Sequence, residues 1–156
     1  MEIIAIDPDV SLSGVATVNT RDGGLHIDKL NFYDALRYIS ARYDECEKRG
    51  EALKVVIEAG WMNRSNWHLL RTDSRQVIAA KGVAQGRNEQ VSRLFGDICK
   101  GLGIDYEFRR PLTKIWRGKN RKITHQELER LTGGKLPRTN QDMRDAALLA
   151  WVEAGF

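Results

Sequence analysis

The start of the chain divides into three short segments with strand character. Residues 3–6 are continuously apolar and stop at Asp7-Pro8, and residues 14–18 are rich in β-branched side chains. A turn signal at residues 21–24 precedes a third segment over residues 25–32. This pattern predicts three antiparallel strands joined by short turns.

The middle of the chain alternates between helical and strand periodicity. Residues 34–48 repeat apolar side chains at helical spacing before Gly50, and residues 53–58 are a continuous apolar run typical of a buried strand. A long helix is predicted over residues 73–100, followed by a strand over residues 104–108. The predicted apolar side of that helix consists of Val77, Ala80, Ala84, Val91, Leu94, Phe95 and Ile98. Gly82 and Gly86 lie one turn apart on this helix and would let the backbone of another element approach closely.

Two further helices are predicted over residues 124–131 and 140–154. Thr124 and Glu127 have the spacing of a capping box at the start of the first. An antiparallel meander followed by helical crossovers indicates a single α/β domain over residues 1–156. Its expected core is a five-stranded mixed sheet, three antiparallel strands then parallel ones, with helices on both faces.

The composition is that of a globular protein, with 42% hydrophobic and 29% charged residues. No apolar run approaches the roughly 20 residues that span a bilayer, and residues 1–7 lack the pattern of a signal peptide. Cys46 and Cys99 fall in helical patterns without metal-ligand spacing, which favours reduced packing residues. We therefore expect a cytoplasmic protein.

Positive charge is concentrated in one stretch. The net charge is +4, yet residues 28–58 are near neutral, whereas residues 109–122 hold seven Lys or Arg and no acid. A local field of this kind attracts polyanions, because each neutralised phosphate releases counterions. A charge run alone is also typical of a solvated surface.

Four acidic residues occupy positions that a contribution to folding stability alone does not explain well. Asp7 and Glu58 each end a predicted strand, and Asp142 and Asp145 lie three residues apart on one face of the last helix. Each has an ordinary structural explanation, as a turn residue, an ion-pair partner or a first-turn acid. If the first and fourth strands are neighbours and the last helix packs on the sheet, however, all four converge at one edge.

Converging carboxylates repel one another and raise their own pKa values unless cations neutralise them. Oxygen-only ligands select hard cations, so Mg²⁺ is expected and Mn²⁺ should substitute. Two such ions about 4 Å apart are the usual arrangement for phosphodiester hydrolysis. The acids therefore predict a two-metal phosphodiesterase site.

The sequence resembles the RuvC-type Holliday junction resolvases over most of its length. The resemblance rests on residues 4–8 and 13–15, on residues 56–58, on the helix around residues 82–86, and on residues 142–147. It implies a ribonuclease H-like fold, a homodimer with two active sites, two Mg²⁺ per site, and paired nicks across a four-way DNA junction. This activity is that of a crossover junction endodeoxyribonuclease. The expected source is a bacterium or a virus that infects bacteria. The implied metal ligands and catalytic acids are Asp7, Glu58, Asp142 and Asp145.

The resemblance also implies residues that contact DNA. Lys114 and Lys122 match the family's active-site lysines at the scissile phosphate, and Trp61 matches an aromatic that stacks on bases near the crossover. Trp67 is a second, weaker stacking candidate. The remaining predicted DNA-binding residues are Asn63, Arg64, Arg110, Arg117, Lys119 and Arg121. Asp9 departs from the family's usual glycine, and His125 near Lys122 is at most an indirect participant.

Two other functions stay open on these residues, and a third is disfavoured. A ribonuclease H acting on RNA–DNA hybrids would use the same acids, and a non-catalytic module would bind branched DNA without cutting it. An actin-like ATPase also begins with a strand and an acid, but this chain is too short for its two lobes. The basic stretch and Trp61 favour branched DNA.

Overall fold

The computed structural model describes residues 1–63 and 70–156. A five-stranded sheet has the order β3-β2-β1-β4-β5. Its strands are β1 (Glu2–Asp7), β2 (Ser13–Asn19), β3 (Leu25–Leu30), β4 (Leu53–Glu58) and β5 (Asp105–Arg109). The first three pair antiparallel, whereas β1 with β4 and β4 with β5 pair parallel. The predicted mixed sheet is confirmed.

Helices pack on both faces of this sheet, as predicted. They are α1 (Phe32–Arg49), α2 (Arg75–Gly101), α3 (His125–Thr132) and α4 (Gln141–Glu153). Alternate residues of β1 divide between two cores: Ile3 and Ala5 face α4, and Ile4 and Ile6 face α1 and α2. Because both sides of β1 are buried, residues 3–6 are all apolar, and this explains the continuous apolar run in the sequence.

The helix ends follow local capping chemistry. Asn31 accepts a hydrogen bond from the backbone N–H of Asp34, so α1 begins at Phe32 and β3 ends at Leu30, two residues earlier than predicted for each. The capping box predicted at Thr124 and Glu127 is present. Gly50 adopts a left-handed conformation at the end of α1.

The prediction for the apolar side of α2 is wrong in part. The C-terminal half packs on the sheet through Phe95 and Cys99, but Val77 is 41% exposed and Leu94 38% exposed. The expected close approach at Gly82 and Gly86 is absent among the described residues, since a Cβ there would meet nothing within 4 Å. The tightest contact of a glycine on α2 is instead with a side chain, at Gly96, where a Cβ would lie 2.5 Å from the Phe108 ring.

Both cysteines are buried and unbridged, in agreement with their predicted packing role. Burial raises the pKa of the Cys99 thiol to about 11, which makes it unreactive. Within residues 1–63 and 70–156, no helix has the length and apolar character needed to cross a bilayer.

Candidate active site

Two strand ends bring the first pair of acids together. β1 and β4 run parallel with Ile6 opposite Ile57, so Asp7 and Glu58 leave the same edge of the sheet side by side. The pairing of β4 with β5 continues just past Glu58, where the N–H of Ala59 donates a hydrogen bond to the carbonyl of Arg109. The predicted neighbourhood of Asp7 and Glu58 is present.

The N-terminus of α4 supplies the other two acids. Asn140 caps this helix by accepting from the N–H of Met143, and Ala146, Leu149 and Ala150 anchor it on the sheet. Gly14, which pairs with Asp7 across β1 and β2, lies directly against the backbone carbonyl of Asp142. A Cβ at Gly14 would come within 2.1 Å of that carbonyl oxygen, so the absence of a side chain is what lets α4 approach.

Burial and mutual repulsion raise the pKa values of Asp7 and Glu58. Burial raises the pKa of Asp7 well above its ordinary value, and the charges of Glu58, Asp145 and Asp142 raise it further against the opposing effect of Lys122. Burial, then Asp145, raises the pKa of Glu58 to about 7. The four predicted metal ligands therefore share one electrostatic environment, and carboxylates destabilised in this way gain most from a bound cation.

Two lysines neutralise part of this charge. Lys122 Nζ donates to Asp145 Oδ2 at 2.5 Å, and Lys29 Nζ donates to Asp142 Oδ2 at 3.0 Å. Burial lowers the pKa of Lys122, but the hydrogen bond and charge of Asp145 outweigh that effect and leave it raised. Gln141 Nε2 also donates to Asp145 Oδ1 at 2.7 Å.

Sequence reasoning singled out Lys122 but missed Lys29 and Gln141. Lys29 lies 113 residues from its partner Asp142 and sits in a strand with a neighbouring aspartate, so no spacing points to it. Gln141 lies one turn before Asp145 on α4, and that spacing was a usable signal.

The donor set fits a hard divalent cation. All four acids offer carboxylate oxygens, which Mg²⁺ and Mn²⁺ prefer, and the raised pKa values of Asp7 and Glu58 mark a surplus of negative charge. In the described part of the chain, no three of their oxygens lie within 4.8 Å of one another. The acids are spread around the site instead, with lysine ammonium groups paired to two of them.

A tighter group of ligand atoms occurs at the far end of β1, where Glu2, Cys46 and Glu51 come within 4.8 Å of one another. Glu2, however, is paired with both Arg42 and Arg49. Although burial raises the pKa of Glu2, these two guanidinium groups lower it below its ordinary value. This cluster is therefore a neutralised ion-pair network that joins α1 to β1.

The basic stretch forms a loop beside the acids. It turns through a short 3₁₀ segment, Lys119–Arg121, in which Asn120 and Arg121 have positive φ angles. Hydrogen bonds from Trp116 N to the Arg121 carbonyl and from Gly118 N to the Lys122 carbonyl close the turn. The predicted DNA-binding residues on it are exposed, with Lys122 half-buried: Arg110, Lys114, Arg117, Lys119, Arg121 and Lys122.

Lys114 acts electrostatically on Glu58, whose pKa it lowers against the stronger effect of burial. This places Lys114 beside the acids, as predicted. Arg109, at the start of the basic stretch, pairs instead with Glu153 at 2.8 Å and with Glu107 at 3.3 Å. Its charge is therefore compensated by two carboxylates.

Trp61, the predicted base-stacking residue, is half-buried. Its ring makes an edge contact with Phe108 at 5.3 Å between centroids, and the Arg93 guanidinium lies 4.7 Å from its centroid. Asn63 is half-buried two residues further on. Arg64 and Trp67, also predicted to contact DNA, lie outside the described residues.

The remaining candidates have structural partners. Asp9 Oδ1 accepts from the N–H groups of Ser11 and Leu12, so it caps the turn after β1. His125 Nδ1 lies 2.8 Å from Thr139 Oγ1, and its other ring nitrogen lies 3.4 Å from a Glu129 carboxylate oxygen.

A cleft of about 520 Å³ opens beside the acids, between α2 and the basic loop. Asp7, Glu58 and Asp145 line it together with Lys114 and Lys122. Its volume is in the range of sites that bind small organic groups. Three of the four predicted acids and both predicted lysines thus face one concave space, whereas Asp142, paired with Lys29, is not part of its lining.

Comparison with solved structures relates this architecture to a known fold. The structure of T. thermophilus RuvC in complex with a Holliday junction substrate matches with a TM-score of 0.51 and 15% sequence identity. The match covers 99% of this chain and 92% of that one. It supports the predicted ribonuclease H-like fold. No protein-family model matches the sequence, and a search of curated proteins finds no match.

Proposed function

We propose that this protein is a metal-dependent endonuclease that resolves four-way DNA junctions and related branched DNA, acting as a homodimer of the RuvC type. The observation that carries the proposal is the gathering of Asp7, Glu58, Asp142 and Asp145 at one edge of the sheet, with the pKa values of Asp7 and Glu58 raised by burial and mutual charge. Such a site is expected to be occupied by divalent ions in the working enzyme.

Asp7 is the central ligand in this proposal, because its carboxylate feels the charges of all three other acids. Glu58 and Asp145 would each complete the shell of one ion, while Asp142 binds or orients the attacking water. When bound, a pair of Mg²⁺ ions activates that water and stabilises the leaving 3′ oxygen. Mn²⁺ should replace Mg²⁺, since both are hard cations.

The two lysines fit a role at the scissile phosphate. Lys122 is held by Asp145, and Lys114 faces Glu58, so an incoming phosphate would meet positive charge on the same side as the acids. Such charge offsets the negative charge that builds up on the phosphate in the transition state.

Branched DNA is favoured as substrate by three features taken together. The basic loop offers exposed cations from Arg110 to Arg121, Trp61 offers an aromatic ring in the lining of the cleft, and the structural neighbour was solved with a Holliday junction. Cations bind the backbone without regard to sequence, and an aromatic ring stacks on any unpaired base.

The test is Asp7→Asn on a synthetic four-way junction with Mg²⁺, beside an RNA–DNA hybrid of equal length. We expect at least a thousandfold loss of junction cutting with binding retained, because the substitution removes the shared ligand but no basic residue. Asp9→Asn is the matched control, since an amide oxygen can still accept the turn's hydrogen bonds.

Wild-type rates from Asp7→Asn would overturn the assignment of the acids. Preferential cutting of the hybrid by the wild type would instead identify a ribonuclease H with the same chemistry. Binding of the junction without any Mg²⁺- or Mn²⁺-dependent cutting would identify a non-catalytic module.

A further inference from the structure

Arg144 lies on α4 directly before one of the proposed metal ligands, yet it makes no ion pair within the described residues. Its half-buried guanidinium donates to uncharged acceptors: Nε to the Ile123 carbonyl at 3.0 Å, Nη1 to the Thr139 carbonyl at 2.9 Å, and Nη2 to Gln141 Oε1 at 2.9 Å. An arginine beside a group of acids would ordinarily pair with a carboxylate. These contacts therefore indicate a role other than charge neutralisation.

The amide of Gln141 links this guanidinium to Asp145. Its Oε1 faces Arg144, and its Nε2 donates to Asp145 Oδ1 at 2.7 Å. Only this orientation of the amide satisfies both neighbours, because a guanidinium donates hydrogen bonds and an ionised carboxylate accepts them. The positive charge at the amide oxygen also polarises the amide, which strengthens the hydrogen bond from its N–H group. Arg144 thus acts on Asp145 through Gln141.

The same guanidinium also holds the segment that carries Lys122. Ile123 follows Lys122 directly, is buried in the core that α4 covers, and offers the carbonyl to which Arg144 Nε donates. Lys122 Nζ in turn donates to Asp145 Oδ2 at 2.5 Å. One arginine therefore fixes both partners of this ion pair, the carboxylate on α4 and the lysine at the end of the basic loop.

We propose that Arg144 and Gln141 are positioning residues of the candidate active site, which hold Asp145 by Oδ1 and leave Oδ2, now bonded to Lys122, available to a divalent cation. The inference rests on the proposed nuclease function and adds the residues that set the geometry of one ligand. A carboxylate ligand keeps its orientation when a neighbouring group binds its second oxygen, and loss of such a partner typically weakens metal binding by about 10- to 100-fold.

Positioning and simple charge predict opposite results for Arg144. If its positive charge only opposed the binding of a cation, its removal would tighten cation binding, since like charges repel. If it orients Asp145, its removal must weaken cation binding. The direction of the change in Mn²⁺ affinity therefore distinguishes the two roles.

Calorimetric titration with Mn²⁺ in the absence of DNA measures this change. We expect Arg144→Met and Gln141→Met each to weaken binding about tenfold, and the double variant to weaken it by no more than about twentyfold, because the two residues act in series. Arg144→Lys keeps the charge but loses the planar fork, so it should weaken binding about fivefold. Arg42→Lys is the matched control, because it replaces a half-buried guanidinium at the far end of β1 and should leave Mn²⁺ affinity unchanged.

A second measurement needs no metal. Reductive methylation in EDTA, followed by mass spectrometry, reports how firmly a lysine ammonium group is paired, because only a free, deprotonated amine reacts. Arg144→Met should accelerate the labelling of Lys122 about fivefold, as expected for the loss of an ion pair of this exposure. Lys54 is the reference in the same sample, since its ion pair with Glu107 has similar exposure and should label at an unchanged rate.

Three results would overturn the inference: Mn²⁺ binding that is unchanged or tighter in Arg144→Met and Gln141→Met, fully additive losses in the double variant, or unchanged labelling of Lys122. A wild type that binds no Mn²⁺ would instead refute the metal site and the proposed nuclease function. The two failures are distinguishable, because the labelling of Lys122 tests the role of Arg144 in the metal-free protein.

Discussion

At the residue scale, Glu58 makes the stability of the metal-free protein depend on pH. Its ordinary pKa of 4.5 applies to the unfolded chain, while burial and Asp145 raise the folded pKa to about 7. A group with a raised folded pKa contributes stability fully below pH 4.5 and loses it as the pH rises through 7. Ionised Glu58 therefore opposes folding at pH 8.

We predict that Glu58→Gln raises the Tm of the metal-free protein at pH 8 by about 3–6 °C and leaves it nearly unchanged at pH 4. Thermal unfolding followed by circular dichroism in EDTA checks this. The matched control is Glu107→Gln, because the hydrogen bond of Lys54 lowers the pKa of Glu107 and gives its loss the opposite sign. A Tm decrease for Glu58→Gln at pH 8 would contradict the assigned pKa.

Lys29 offers a second prediction at this scale, since its ammonium group occupies the Asp142 carboxylate that a cation would use. Lys29→Met should tighten Mn²⁺ binding by roughly two- to fivefold, because a partly exposed ion pair is worth about 0.5–1 kcal/mol. Calorimetric titration of the protein without DNA measures this. Lys54→Met removes a pair of similar exposure, with Glu107, and should change nothing. Weaker Mn²⁺ binding would mean that Lys29 positions Asp142.

At the scale of elements, the contact between β2 and α4 sets the position of Asp142 and Asp145. Gly14→Ala would place a Cβ 2.1 Å from the carbonyl oxygen of Asp142, so the helix would have to move away. We expect a loss of about 1–3 kcal/mol in the free energy of unfolding and a larger proportional loss of cutting. Gly82→Ala, with open space around it, should be neutral or stabilising by up to about 1 kcal/mol. Denaturant unfolding of both variants measures these changes in the free energy of unfolding.

The sequence predicted these elements well where one local rule dominated. Continuous apolar strands and the capping box at Thr124 indicated β4 and the start of α3 to within a residue. The start of α1 was missed because Asn31, which caps the helix, falls within the segment 25–32 that was predicted as a strand. For α2, helical spacing revealed an apolar side, but only tertiary packing determines which half of that side is covered.

At the scale of the whole molecule, the N-terminal half of α2 exposes apolar side chains that could form a contact in the proposed homodimer. Val77 and Val83 are 41% and 56% exposed on a helix whose other end is packed. Sedimentation at micromolar concentration should give twice the mass of 17.7 kDa. Val83→Glu should shift the protein toward monomer, because a charge at a dimer contact loses its hydration. Val152→Glu, 46% exposed on α4, should leave the mass unchanged. A monomeric wild type would refute the dimer.

The sequence predicted the acids of the candidate site and one counter-charge, Lys122, but not the other, Lys29. Asp7 and Glu58 follow apolar strands, and the 3.6-residue period places Asp142 and Asp145 on one face, so local rules indicated each pair, while the meeting of the two pairs depended on strand order and on the packing of the last helix. The ion pair of Lys29 and the burial of Trp61 depend on elements far apart in sequence. No spacing encodes such contacts, and only the assembled fold reveals them.

The basic loop gives the last prediction, which concerns the field of the whole molecule. Each cation that neutralises a phosphate releases counterions, so the slope of log affinity against log salt concentration counts those contacts at about 0.9 per phosphate. Arg117→Ala with Lys119→Ala should therefore reduce the slope on a junction by about 2 while sparing any preference between sequences. Arg109→Ala is the control: its guanidinium is already bound by Glu153 and Glu107, so its removal should leave the slope unchanged. An equal effect of Arg109→Ala would mean that net charge, and not the loop, attracts the DNA.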